Sequence, residues 1–182
     1  MLDVLLMKII RRIVSPIVSW YRKTCFLSGL KAYGNCNNVK GLVYLWNDNV
    51  IIGSYNNFYP NVTLWGPGSI RIGSHCEIGI GTTIYSSQKI VIGNDVLIAA
   101  GCYIIDSNHN TKIGQLIREQ VAVTKGPVII EDDVWLGAGV KVLSGVTIKN
   151  GAVIGAQAVV TSDIPQNAIA VGVPAKVVGY RK

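Results

Sequence analysis

The sequence predicts an all-β solenoid: about five triangular coils, preceded by an amphipathic helix and interrupted by one projecting loop. Three observations carry that expectation. Aliphatic residues recur every six positions over long stretches. The chain holds 20 glycines but 6 prolines among its 182 residues, which suits many tight bends in an ordered chain. Residues 2–23 alone carry a helical three-and-four apolar spacing.

Composition narrows the function classes. Hydrophobic residues make up 49% and charged residues 15%, which excludes a disordered chain. The net charge of +7 is unevenly placed: residues 1–40 carry seven basic residues against Asp3, and the remainder is close to neutral. A nucleic-acid-binding body would carry its own basic face, so nucleic acid is not the expected partner. Mean hydropathy is high at +0.38, which calls for a large covered interface or membrane contact. Cys25, Cys36, Cys76 and Cys102 form no C-x-x-C pair, and no secretory signal is recognisable. The expected location is cytoplasmic, at or near the inner face of the membrane.

In the N-terminal segment, taken as residues 1–40, Leu2, Leu5, Leu6, Ile9, Ile10, Ile13, Ile17 and Trp20 fall on one helical face. Lys8, Arg11, Arg12, Ser15, Ser19 and Arg22 fall on the other, and Pro16 is expected to kink or divide the helix. Such a helix suits peripheral membrane contact through residues 2–23. It equally suits a cap over the exposed end of a solenoid.

The repeat domain is read as 41–182. Its clearest frame is Ile130, Leu136, Val142, Ile148, Ile154, Val160, with Val134, Val140, Val146, Ala152, Ala158 and Ile164 four residues after each. Ile72, Ile78, Ile84, Ile90 and then Ile92, Ile98, Ile104 repeat it, with Cys76, Thr82, Val96 and Cys102 in the second slot. Ile52, Phe58, Leu64 and Ile70 form a weaker copy. One strand and one turn per hexad, three hexads per coil, satisfy this pattern, with coils stacked at about 4.8 Å. The glycine after many aliphatic positions is expected to permit the bend. The jumps from 70 to 72 and from 90 to 92 are expected to be corner insertions.

The segment Ile129-Ile130-Glu131-Asp132-Asp133-Val134-Trp135-Leu136-Gly137-Ala138-Gly139-Val140 resembles the most characteristic run of the hexapeptide-repeat acyltransferases. Ile164-Pro165 and Ala170-Val171-Gly172-Val173-Pro174-Ala175-Lys176 resemble the family's ending. Asp106-Ser107-Asn108-His109 and the loop after it look most like bacterial surface-polysaccharide O-acetyltransferases. The resemblance implies a left-handed parallel β-helix, a homotrimer, and acetyl-CoA as co-substrate with a carbohydrate acceptor. It also implies synthesis of capsule, O-antigen (the glycan of lipopolysaccharide) or exopolysaccharide as the setting.

The hexads fail between Ile104 and Ile130, so a loop of about 106–127 is expected to project where function tends to sit. His109 lies at its start. An imidazole suits removal of a hydroxyl proton near neutral pH, and the resemblance assigns His109 that role. Asp106 is expected to orient the ring, to bond the sugar, or simply to cap backbone N–H groups. Asn108 is the neighbouring candidate for substrate binding. The resemblance places Trp135, Ala138, Ala156, Thr161 and Lys176 along the CoA groove, with Lys176 meeting a phosphate. Ser162 stands where many relatives carry lysine, and Arg181 in the tail (165–182) is a candidate substitute. His75 is expected at a solvated corner. Two histidines far apart in register do not make a zinc site, and no metal is expected. Cys76 and Cys102 look like core residues, so direct attack in a ternary complex is expected rather than a thiol intermediate. Two alternatives stay open: acetyl transfer to a free sugar, serine or antibiotic, and a non-catalytic scaffold.

Overall fold

Aliphatic side chains at six-residue spacing turn inward on three parallel sheets, and every aliphatic repeat position named above is buried. The computed structural model describes the backbone of residues 2–182 and the side chains from Val14 onward. The first sheet stacks Ala32–Tyr33, Val50–Ile52, Ser69–Ile72, Lys89–Ile92, Val128–Ile130 and Thr147–Ile148. The second stacks Asn38–Val39, Asn57–Phe58, Glu77–Ile78, Leu97–Ile98, Trp135–Leu136, Val153–Ile154 and Ala168–Val171, with Lys176–Tyr180 returning antiparallel at its edge. The third stacks Val43–Trp46, Val62–Trp65, Thr83–Tyr85, Tyr103–Ile105, Lys141–Val142 and Val159–Val160.

The solenoid therefore has six full coils and the start of a seventh, where about five were expected. The additional coil begins at Ala32, inside the segment assigned to the helix. Its hexads are hidden because buried Asn37 and Asn47 occupy inward places, as Asn56 does in the next coil, which reads as turn sequence. These amides are satisfied by stacking. Asn37 Nδ2 donates to the Gly34 and Gly53 carbonyls, and Asn56 Nδ2 donates to Asn37 Oδ1 and the Gly73 carbonyl.

Two expectations about the repeat are corrected. Ile70 and Ile72 lie in one strand and both point inward, as do Ile90 and Ile92, so the frame jump is not a corner insertion at those residues. The extra residues sit before those strands, at the corner between the third and first sheets (the third corner), as Gly66-Pro67-Gly68 and Ser86-Ser87-Gln88. The glycine after the aliphatic residue is not the bend. A Cβ on Gly73 would run into the Gly93 carbonyl, so glycine there permits close stacking of coils. The bend is made two residues later, by Tyr55, His75, Asp95 and Asp133 at φ of 61, 62, 57 and 55°.

The helix α1 spans Leu2–Ser28, five residues beyond the expected end, and continues through Pro16 as one element. The faces expected over residues 2–13 lie outside the described side chains. The last turn and the residues just after it cover the end of the solenoid: Phe26 and Leu30 are buried, and the Phe26 ring meets Phe58 at 5.1 Å. Upstream, Ile17 and Trp20 are 60% and 67% exposed. Capping and an unpartnered apolar face thus belong to different turns of one helix. Among the described residues no helix is long and apolar enough to cross a membrane.

Candidate active site

The third corner grows into the expected loop in the fourth coil. Asn108 and Val123 form an antiparallel bridge through Asn108 N–H to Val123 O at 2.7 Å and Val123 N–H to Asn108 O at 2.8 Å. The loop is thus pinched shut at its base, and His109 is the first residue beyond the pinch. Gln120 ties the excursion together by accepting from Lys112 N–H and donating to the Lys112 and Gln115 carbonyls. Its apolar residues Ile113, Leu116, Ile117 and Val121 face outward.

His109 is exposed and lines a cleft of about 280 Å³ with Trp65, Tyr85, Tyr103, Ser107, Asn108 and Ala122. Its ring makes no side-chain hydrogen bond among the described residues, leaving both nitrogens open to a substrate. Burial, and then the neighbouring Tyr85, push the Tyr103 phenol up, so it is a neutral hydroxyl at physiological pH.

Asp106 does not touch the imidazole. It is fully buried, and its carboxylate accepts from Ser86 Oγ (3.1 Å) and from the N–H groups of Ser87 (2.6 Å), Gln88 (2.9 Å) and Lys89 (2.7 Å). All four donors belong to the corner and the carboxylate is closed off from the cleft by burial, so the geometry fits the capping alternative. Asp106 fixes the preceding coil's third corner to the start of the loop. Ser144 holds the other side: its Oγ donates to the Asp106 carbonyl at 2.8 Å and accepts from Lys125 N–H at 2.8 Å. Both ends of the loop are thereby clamped to one hydroxyl.

The five residues expected along the CoA groove divide. Ala138 and Ala156 occupy successive turns at the second corner, between the second and third sheets, joined by Gln157 N–H to Ala138 O at 2.8 Å. Lys176 opens the returning strand beside that corner, and exposed Trp135 begins its strand three residues before Ala138. Thr161 lies one strand further round, at the third corner, two coils beyond the loop. Arg181 is engaged elsewhere: its guanidinium pairs with Asp133 at 2.7 Å and donates to the Gly151 carbonyl at 3.0 Å, latching the tail.

The remaining candidates keep to the frame. His75 sits at a bend of the first corner, stacked on Tyr55 at 5.0 Å. Cys76 and Cys102 are buried, and burial pushes the Cys76 thiol up to about 11 and raises that of Cys102. A thiol held protonated is a poor nucleophile. Among the described residues no three His, Cys, Asp or Glu gather as a metal site.

Sequence reasoning missed Trp65, Tyr85, Tyr103 and Ser144. The first three are outward positions, invisible to an inward-facing pattern. For Trp65 and Tyr85 the signal is an aromatic recurring one coil apart on one sheet, whereas Tyr103 pairs with Thr83 and leaves none.

Comparison with known proteins bears on the same segments. The bacterial transferase hexapeptide (six repeats) family matches residues 127–162, and the hexapeptide repeat of succinyl-transferase matches 69–105. The Escherichia coli (strain K12) protein named as a lipopolysaccharide biosynthesis O-acetyl transferase, WbbJ, is 34% identical over 160 residues, covering 80% of each chain. The chain belongs to the hexapeptide-repeat acyltransferases. A Mycobacterium tuberculosis member named as an acetyltransferase, Rv3034c, is 43% identical over 115 residues, 63% of this chain. This acyltransferase spans 38% of that relative's length. Among solved structures, AntD, an N-acyltransferase from Bacillus cereus in complex with dTDP and 3-hydroxybutyryl-CoA, superposes at a TM-score of 0.75 with 22% identity, covering 88% of each chain. That likeness establishes the shared solenoid.

Proposed function

We propose that this acyltransferase moves an acetyl group from acetyl-CoA to a sugar hydroxyl, with His109 as general base, in surface-polysaccharide synthesis at the cytoplasmic side of the membrane. The observation that carries the reading is the placement of His109: an unengaged imidazole at the pinched base of the one long loop, opening on a cleft lined by Tyr103, Ser107 and Asn108. The name of WbbJ supports the sugar and the polysaccharide setting.

In this reading His109 takes the proton of the acceptor hydroxyl as its oxygen attacks the thioester carbonyl. The tetrahedral oxyanion collapses, the C–S bond breaks, and the imidazolium returns the proton to the CoA thiolate. Asn108 spends its backbone on the bridge and keeps its side-chain amide for the acceptor. Asp106 acts as a positioning residue through the corner it caps. Trp135, Ala138, Ala156 and Lys176 hold CoA at the second corner, with Thr161 beyond them.

A homotrimer fits this division. Within one chain the third sheet separates the second-corner residues from His109, so a neighbouring copy can bring donor and base together. The outward apolar residues of the loop supply a surface for that contact. The exposed Ile17 and Trp20 of α1 fit peripheral membrane contact.

The test is His109→Ala, followed by thiol release from acetyl-CoA in the presence of sugar acceptors and by calorimetric titration with CoA. Transfer should fall by a factor of ~10²–10⁴ while CoA affinity stays within a few-fold. Unchanged turnover would remove His109 as the base, and no CoA binding by the parent protein would remove the reading altogether.

A further inference from the structure

The first four strands of the third sheet each carry an outward residue at the last position, in strict register: Trp46 beside Trp65, Trp65 beside Tyr85, Tyr85 beside Ile105. Trp46 and Trp65 are 68% and 39% exposed. Exposed apolar side chains placed singly are ordinary, and Tyr55, Leu97 and Trp135 are others on this solenoid, but two tryptophans and a tyrosine in one register form a column. Their rings are nonetheless fixed: Trp65 meets Tyr85 at 4.4 Å and 60°, and Trp46 meets Tyr44 at 5.8 Å and 44°. Beside them a cleft of about 470 Å³ runs over Trp46, Asp48, Asn49 and Gly66 to Trp65 and Tyr85. Trp65 and Tyr85 also line the His109 cleft, so the two adjoin across these rings.

We infer that this column is the binding face for an extended, uncharged glycan whose terminal or internal sugar reaches His109. The inference rests on the acyltransferase reading of that histidine and adds the class of acceptor. Three features select the occupant. Fixed aromatic faces offer flat apolar surface to the C–H face of a sugar ring, while the carboxylate of Asp48 accepts from hydroxyls. Among the described residues no Lys or Arg lines either cleft, and the Lys31 ammonium beside the larger one already donates to Asn49 Oδ1 at 3.0 Å, so the site offers little positive charge for the phosphates of a nucleotide diphosphate. The column covers three strand spacings, roughly 14 Å, which is longer than one monosaccharide. It starts in the coil on which α1 packs, so the chain of sugars runs along the solenoid from the helix end toward the loop.

The length follows from the fold and not from any one pocket. Each coil adds one rung, and the rungs stop at Ile105, where the loop replaces the corner. A free monosaccharide would use the His109 cleft alone and leave Trp46 idle.

The experiment titrates the full-length protein with neutral oligosaccharides of one to six units, drawn from hexose, 6-deoxyhexose and N-acetylhexosamine series, reading tryptophan fluorescence and then KM for acetyl transfer. Affinity should rise by about tenfold between one unit and three or four, and then level off. Trp46→Ala should flatten that length dependence, and Trp46→Phe should restore most of it. Binding is read without turnover, so a failure of His109 as the base leaves this result interpretable, and a flat length dependence leaves the His109 test intact. The proposal is overturned if no series binds better with length in the parent protein. It is equally overturned if Trp46→Ala leaves the length dependence unchanged. A change in molar mass by light scattering for Trp46→Ala would make the column a contact between copies instead.

Discussion

The coils before the loop and those after it are built to different lengths. Ile52 pairs with Ile72 and Ile72 with Ile92, twenty residues per coil, whereas Ile130 pairs with Ile148, eighteen. The surplus lies wholly at the third corner. The early coils carry Gly66-Pro67-Gly68 and Ser86-Ser87-Gln88 there, the fourth carries the loop, and the later ones run through in the minimal hexad. A solenoid can thus vary one corner freely while its interior stays in frame. The inward residues fix the core, and a chosen edge is left to accumulate polar clamps and aromatic rings.

That division can be broken from either side. Replacing residues 110–122 by a short glycine linker should abolish acetyl transfer and shift the thermal midpoint by only a few degrees, because few of those side chains are buried. A large loss of stability would show that the loop belongs to the core. Asp106→Ala, which strands three backbone N–H groups at the enlarged corner while Ser86 Oγ keeps the Ser69 carbonyl, should cost about 3 kcal/mol or more in denaturant unfolding. Leu136→Ala, in the regular stack, should cost about 3 kcal/mol by leaving a cavity. It should do so without changing KM for the acceptor. Ser144→Ala should cost about 1 kcal/mol, yet reduce kcat more than CoA affinity if the clamp sets the position of His109. A smaller signal comes from the thiols. Cys25 and Cys36 are exposed and should alkylate readily at pH 8, whereas Cys76 stays protonated until the pH nears 11 and should label only on unfolding. Because the folded-state value is raised above the ordinary 9.0, its contribution to stability is intact below pH 9 and declines as the pH rises toward 11.

Much of the interior was legible because an inward aliphatic every six residues fits neither a helix nor a flat sheet. Residues 72–104 and 130–164 keep that frame apart from the two-residue shift at 90–92. The first coil was not legible, since Asn37 and Asn47 replace aliphatic residues and each depends on a carbonyl of the next coil, Gly53 and Gly68. The glycine assignment failed for a related reason: Gly73 is required by Gly93, a residue twenty positions on. At the site, His109 and the loop stood out as a break in period. The clamp of Asp106 and Ser144 did not, because it joins residues 38 apart in sequence. The aromatic column is likewise a product of register between strands.

The two ends of the stack have a consequence for what the protein can become. Parallel coils present open backbone edges above and below, the template on which fibres elongate. Here Phe26 and Leu30 cover one end, and at the other a reversed strand, Lys176–Tyr180, replaces the next parallel rung, while Ala175 N–H donates to the Val159 carbonyl at 2.8 Å. End-to-end polymerisation is hindered in both directions. Growth of any assembly is then confined to the flanks, where rotation about an axis closes after a few copies, and a fibre-prone architecture is made finite.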